Sequence, residues 1–147
     1  MGSQQVTDDR RELLLDTHLL VWMVESHRRL SENMKELLRK GSREDLLVVS
    51  AITPWEIALL VSKKRLQLDN DVQDWIDRAL ALPGIRLQPL VPAIAVASTR
   101  LPWEMHPDPA DRILVATARH IGATLLTADE QLLRYGAQGN FRCLAAS

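Results

Sequence analysis

Cysteine is almost absent from this 147-residue chain, in which Cys143 stands alone. A single cysteine excludes an internal disulfide and any thiolate metal cage. Its neighbours Phe141 and Leu144 mark it as a buried, unreactive thiol, and a reducing compartment fits. Charge of one sign is lacking too. Eighteen Lys and Arg stand against nineteen Asp and Glu, a net charge of −1, so the chain has no broad basic footprint for gripping many phosphates. A metal cluster would supply positive charge locally. Long hydrophobic runs are also missing. The most apolar stretch, Leu13 to Val24, is broken by Asp16, Thr17 and His18 and is too short to span a bilayer. No targeting segment is visible, so a cytoplasmic protein without a membrane partner is expected.

What remains is ordinary for a globular protein: 46% hydrophobic and 25% charged residues, enough chain for one domain with a real core. Met1-Gly2-Ser3 has the composition of a cloning remnant. Residues 1–10 read as a loose polar lead-in and 11–147 as a single domain, with no repeat and no low-complexity linker.

Strand and helix signals alternate along the chain, which predicts an α/β fold with a central parallel sheet and helices on both faces. Strands are expected at Glu12–Leu15, Leu46–Ser50, Ile85–Leu90 (an edge), Thr124–Thr127 and Phe141–Leu144. A helix begins after the first strand with Leu19. Ser31 caps a second helix, Glu32–Lys40, that ends at Gly41. Thr53 is the expected cap of the next, with Pro54 first and Glu56 closing a Thr-x-x-Glu capping box. Asn70 caps Asp71–Leu82, and Pro92 opens a helix to about Leu101. Asp108 caps an almost wholly apolar helix, Pro109–Ile121, ended by Gly122, and a short helix spans Asp129–Tyr135.

Four acids fall where strands end or helices begin: Asp16, Glu56, Asp111 and Asp129. Three have a plain structural explanation. Glu56 closes a capping box, Asp111 complements a helix dipole, and Asp129 does the same beside a Thr127–Glu130 box. Asp16 has none, because it ends a Leu-Leu-Leu strand and precedes another apolar run, and a buried carboxylate needs a cation or donors. In open α/β sheets the functional crevice lies beyond the carboxyl ends of the strands. All four acids belong at that edge, and an all-oxygen cluster suits Mg²⁺ or Mn²⁺.

The segments Leu13-Leu14-Leu15-Asp16-Thr17-His18, Ser50-Ala51-x-Thr53-x-Trp55-Glu56, His106-x-Asp108-Pro109-x-Asp111-Arg112 and Leu126-Thr127-Ala128-Asp129 resemble, in order and spacing, the motifs of PIN-domain proteins, and most of all the VapC-type toxins of bacterial toxin–antitoxin pairs. The likeness runs from about residue 12 to the end. It implies a PIN-like, Rossmann-like three-layer fold and a Mg²⁺- or Mn²⁺-dependent ribonuclease that leaves 5′-phosphate and 3′-hydroxyl ends. It also implies a cognate VapB-type antitoxin and a symmetric homodimer. Asp16, Glu56, Asp111 and Asp129 become the catalytic quartet, with metal held by Asp16, Asp111 and Asp129 and Thr127 as a polar neighbour. Pro107 and Ala110 depart from the usual pattern, which bears on the rim of the site more than on its chemistry.

His18, Arg112 and Asp108 are possible supporting residues: His18 toward substrate or Asp16, Arg112 toward an acid or a phosphate, and Asp108 first as a cap. His106 reads as a loop-shaping residue. Lys63-Lys64-Arg65 is the compact basic run, a solvated helix end or a contact for RNA or an acidic partner. The helix after Asp16 and the one holding Glu56 are expected to frame an apolar groove for a partner helix. Four tryptophans against one Tyr and one Phe add interface candidates, core packing being the plainer reading. Rival readings are a non-catalytic PIN-fold binding module and a metal-dependent nuclease acting on DNA. An aspartyl-nucleophile phosphatase would need a second Asp where His18 stands.

Overall fold

The computed structural model describes residues 11–102, 104 and 108–147. The lead-in over 1–10, Trp103, His106 and Pro107 lie outside the described residues. Five strands and seven helices follow one another as β1 (Leu13–Leu15), α1 (Thr17–Glu25), α2 (Glu32–Arg43), β2 (Leu47–Ser50), α3 (Ile52–Ser62), α4 (Val72–Leu80), β3 (Ile85–Gln88), α5 (Pro92–Ala97), α6 (Pro109–Ile121), β4 (Thr124–Thr127), α7 (Glu130–Gly136) and β5 (Arg142–Ala145) among the described residues.

The strands form one parallel sheet in the order β3-β2-β1-β4-β5. Strand β1 is central, with Leu13 level with Leu47 on one side and Thr124 on the other. Its three leucines are all buried, as a strand covered on both faces requires. Alternation sends them opposite ways. Leu13 and Leu15 join Leu47, Val49 and the apolar faces of α1, α2 and α4, while Leu14 joins Val48, Leu125 and the inner sides of α6 and α7. The result is three layers. Chain order runs outward from β1 to β3, then returns to β4 on the other side, so the switch point falls between the carboxyl ends of β1 and β4. Among the described residues no helix is long and apolar enough to cross a membrane.

The parallel sheet and two-sided helical cover agree with the sequence reading, and several helix ends do not. Helix α2 runs through Gly41 to Arg43. A Cβ on Gly41 would come within 2.7 Å of the Leu47 side chain, so this glycine allows close helix–sheet packing and does not stop the helix. Asp71, not Asn70, caps α4, accepting from the N–H groups of Gln73 and Asp74. Helix α5 stops at Ala97, and α3 begins at Ile52, ahead of the expected Thr53 cap. Its capping residue, Ala51, offers no side-chain bond, while Ser50 Oγ accepts from the Ile52 N–H at 3.1 Å. The Thr53–Glu56 capping box is therefore absent, which frees both side chains.

Two glycines adopt left-handed backbone for different reasons. Gly122 ends α6 at φ 68° with open space around it, whereas Gly84, at φ 81°, lies against Ser42, whose Cα would be 2.6 Å from an added Cβ. Gly122→Ala should lower stability by about 1–2 kcal/mol, the left-handed backbone penalty. Gly84→Ala adds overpacking worth about 1–3 kcal/mol and should melt well below it. Thermal or urea melts of the two variants check the order, and equal losses would contradict the packing described for Gly84.

Candidate active site

Four helix starts surround the carboxyl edge of β1 and β4. Asp16 is the cap of α1: its Oδ1 accepts the Leu19 N–H at 2.7 Å, and its Oδ2 accepts the Thr127 hydroxyl. With only 6% of its surface exposed, it has the donors that a buried carboxylate needs. Burial drives its pKa up. The Thr127 and Leu19 bonds and the His18 charge oppose that rise, and the Glu56 charge adds to it. His18 itself is exposed on the first turn of α1.

Thr127, the last residue of β4, is fully buried. Its hydroxyl donates to Asp16, and its oxygen accepts the Asp129 N–H at 3.0 Å. It works across the switch point rather than in a capping box with Glu130. Asp129 is itself the cap of α7, taking the Leu132 N–H on Oδ1 at 3.0 Å.

Asp108 caps α6 as expected, accepting the Asp111 N–H at 3.1 Å, and Asp111 sits in that helix's first turn. Glu56 lies one turn into α3, where the Thr17 hydroxyl donates to its Oε1 at 2.5 Å. Oxygens of Glu56, Asp108 and Asp111 come within 4.8 Å of one another. This tight group shares only Asp111 with the expected ligand set of Asp16, Asp111 and Asp129. Asp16 and Asp129 stay close enough for their charges to bear on Asp111, but each spends oxygen on a backbone N–H. Burial first, then the charges of Asp108, Asp129, Glu56 and Asp16, push the Asp111 pKa up to about 8. Arg112 sends its Nε to the Ser98 carbonyl at 3.0 Å, tying α6 to the end of α5.

The arrangement gathers five carboxylates on one edge, three of them at mutual ligand distance. The donors are all oxygen, the preference of a hard divalent cation. Raised carboxyl pKa values are what crowded acids show before a cation relieves them. The residues fit such an ion. Two contributors escaped the sequence reading. Thr17 and Thr53 are buried at 2% and 0% exposure, with hydroxyl oxygens 3.3 Å apart. Thr53 passed as a helix cap because its spacing to Glu56 is that of a capping box.

A family model described as the PIN domain matches residues 13–138. The chain is 32% identical over 120 residues to Ribonuclease VapC22 of Mycobacterium tuberculosis, spanning 82% of this chain and 88% of that one. Its fold is similar to VapBC2 from Rickettsia felis bound to a DNA fragment from their promoter, with TM-score 0.67, 18% identity, and 92% of this chain and 98% of that one covered. It is also similar to DNA-bound VapBC from Salmonella typhimurium, with TM-score 0.67, 13% identity, and coverage of 93% and 99%. At those identities the two structures speak for the fold alone.

The raised Asp111 pKa has a consequence for stability. Between the ordinary carboxyl value and about 8, folded protein holds a proton at Asp111 that unfolded chain has released. The native state then binds more protons, so its stability falls as pH rises through that window. In EDTA, the melting temperature should drop between about pH 5.5 and pH 8.5, and the drop should be shallower in Asp111→Asn. Mn²⁺, bound only by the native state, should flatten the wild-type slope. An identical slope in wild type and variant would remove Asp111 as its source.

Proposed function

The chain belongs to the PIN-domain family, and from that premise we propose that it is a metal-dependent endoribonuclease acting as the toxin of a toxin–antitoxin pair. The observation that carries the reading is the group formed by Glu56, Asp108 and Asp111, with Asp16 and Asp129 beside it at the switch point of the sheet. Mg²⁺ or Mn²⁺ is the cofactor that fits these donors, with Asp111, Asp16 and Asp129 as the expected holders and Asp108 a further one. When bound, such an ion supplies positive charge to phosphoryl oxygens and acidifies water.

The chain's own residues supply the rest. Asp111 gives up its proton as a cation is taken up. Asp16 keeps a fixed orientation because both its oxygens are held. Glu56, gripped at one oxygen, is oriented to accept the proton of an attacking water. In-line attack would leave a 5′-phosphate and a 3′-hydroxyl. Asp16→Asn, Glu56→Gln and Asp111→Asn should each reduce cleavage of a single-stranded RNA by roughly 10²-fold or more. Asp108→Asn keeps the cap, since Asn caps as well as Asp, and should still lose roughly 10-fold or more by losing its charge. Asp74→Asn, on the exposed side of α4, should cut normally. Wild-type rates in a folded Asp111→Asn protein would defeat the assignment.

The antitoxin needs a seat. Helices α1 and α3 are joined at their starts through Thr17 and Thr53, and a cleft of about 560 Å³ opens between α1, α2 and the Leu82–Pro83 turn. Met23, Leu30 and Leu38 line it, with Lys35, Arg39 and Arg43 around the rim. Lys35 and Arg39 make exposed ion pairs to Glu32 and Glu36, of the kind that contribute little and re-form easily. An apolar floor with a basic rim favours an amphipathic antitoxin segment carrying acids. Trp55, 52% exposed, and half-buried Trp22 add interface surface, whereas Trp75 is buried with its Nε1 donating to Glu25. Self-association as a symmetric dimer is also expected. Co-expression with the adjacent small open reading frame should yield a complex with suppressed RNase activity. Arg39→Glu with Arg43→Glu should weaken that complex about tenfold or more and reduce its salt dependence; unchanged affinity would move the seat elsewhere.

A further inference from the structure

We infer that Thr17 and Thr53 form a buried hydroxyl relay that positions Glu56 in the candidate active site. The inference rests on the nuclease reading. Thr17 Oγ1 donates to Glu56 Oε1 at 2.5 Å. The Thr17 proton is committed to that bond, so in the 3.3 Å contact between the two hydroxyls Thr53 is the donor. The sequence of donors runs Thr53 to Thr17 to Glu56.

Position explains why the hydroxyls face each other. Thr17 is the first residue of α1 and Thr53 the second of α3. A threonine deeper in a helix turns its hydroxyl back onto a carbonyl four residues earlier, as Thr117 does onto Ile113 at 2.7 Å. At a helix start no such carbonyl is in place. Both hydroxyls are shut away from water, so each must find a partner across the interface. The partner at the end of the relay is an acid of the site.

The consequence is geometric. Asp16 and Thr17 are adjacent, and between them they bind Thr127 on β4 and Glu56 on α3. One dipeptide thus fixes two of the acids. With Oε1 held, the remaining Glu56 oxygen is restricted in its approach to Asp108 and Asp111. Thr17 is a positioning residue, since it acts through Glu56.

Thr17→Val keeps the shape and removes the relay, and Thr17→Ser keeps the hydroxyl. With a short single-stranded RNA and saturating Mn²⁺, Thr17→Val should lose roughly 10–100-fold in kcat with KM nearly unchanged, the loss expected of a misplaced group. Thr17→Ser should stay within about threefold of wild type, and Thr53→Val should fall between. The double variant Thr17→Val with Thr53→Val should be no slower than Thr17→Val alone, because both break one relay. A readout independent of turnover accompanies these: a crystal structure of metal-free Thr17→Val, in which Glu56 should leave its single rotamer. Thr17→Val with wild-type kcat and lowered melting temperature would make the pair merely structural and overturn the inference. If Thr17→Val fails to fold, Thr53→Val decides in its place by the same measurements. If wild type and Glu56→Gln cleave RNA equally or not at all, the nuclease reading falls. The relay is then judged by the rotamer alone, and an unmoved Glu56 overturns it.

Discussion

Mutual repulsion of carboxylates is the constraint around which this molecule is built. Five acids meet at the carboxyl edge of the sheet, and burial together with that crowding raises Asp111 to about 8. Two unit charges about 4 Å apart repel by roughly 4 kcal/mol at the effective dielectric of a protein surface. The scaffold must hold them regardless. It does so from a sheet whose central strand is leucine throughout, each buried leucine contributing roughly 1.5–3 kcal/mol. A core of that size can carry one buried acid, provided the acid is hydrogen-bonded. Asp16 is, at both oxygens.

Helix caps and candidate metal ligands are here the same residues. Asp16, Asp108 and Asp129 each cap a helix with one oxygen, and Asp111 lies in the first turn of α6. Capping was weighed in the sequence as a reason to doubt a functional role. A carboxylate has two oxygens and a cap uses one, so capping is compatible with ligation at Asp108 and Asp129, while at Asp16 the second oxygen also accepts the Thr127 hydroxyl. The helix dipoles add to the effect, each favouring a nearby anion by about 0.3–1 kcal/mol. Three such contributions fall short of the repulsion between even one close pair.

The sheet, its parallel sense and the helices on both faces were legible because β1 is an apolar run, β2 is one up to Ser50, and the turns between elements carry clear signals. Asp108, Pro109 and Gly122 marked α6 to the residue. The acids at strand ends were legible through the topology of α/β sheets. Legibility failed where two local signals compete. At α3 the Thr-x-x-Glu spacing fits a capping box, yet Ser50 and Ala51 let the helix start two residues earlier, so Thr53 and Glu56 turn to Thr17 on another helix. At α2, Gly41 looks like a stop and is a contact with Leu47. Both misreadings concern partners distant in sequence, which no window of neighbouring residues contains. The tight grouping of Asp108 with Glu56 and Asp111 was hidden for the same reason.

On the proposed reading, proton and cation would be alternative occupants of this edge, which follows from the arrangement rather than from any one acid. A carboxyl that is neutral to about pH 8 accepts hydrogen bonds poorly and repels its neighbours little, so the metal-free fold relaxes by binding protons at Asp111. Asp111 would have to give up that proton to hold a divalent ion. Glu56 stands apart, since one of its oxygens is engaged by the Thr17 hydroxyl. On the proposed reading, Asp111 would release its proton when metal binds, while Glu56, held by Thr17, would face the attacking water. The helix start that carries each carboxylate would set that division, α6 for Asp111 and α3 for Glu56.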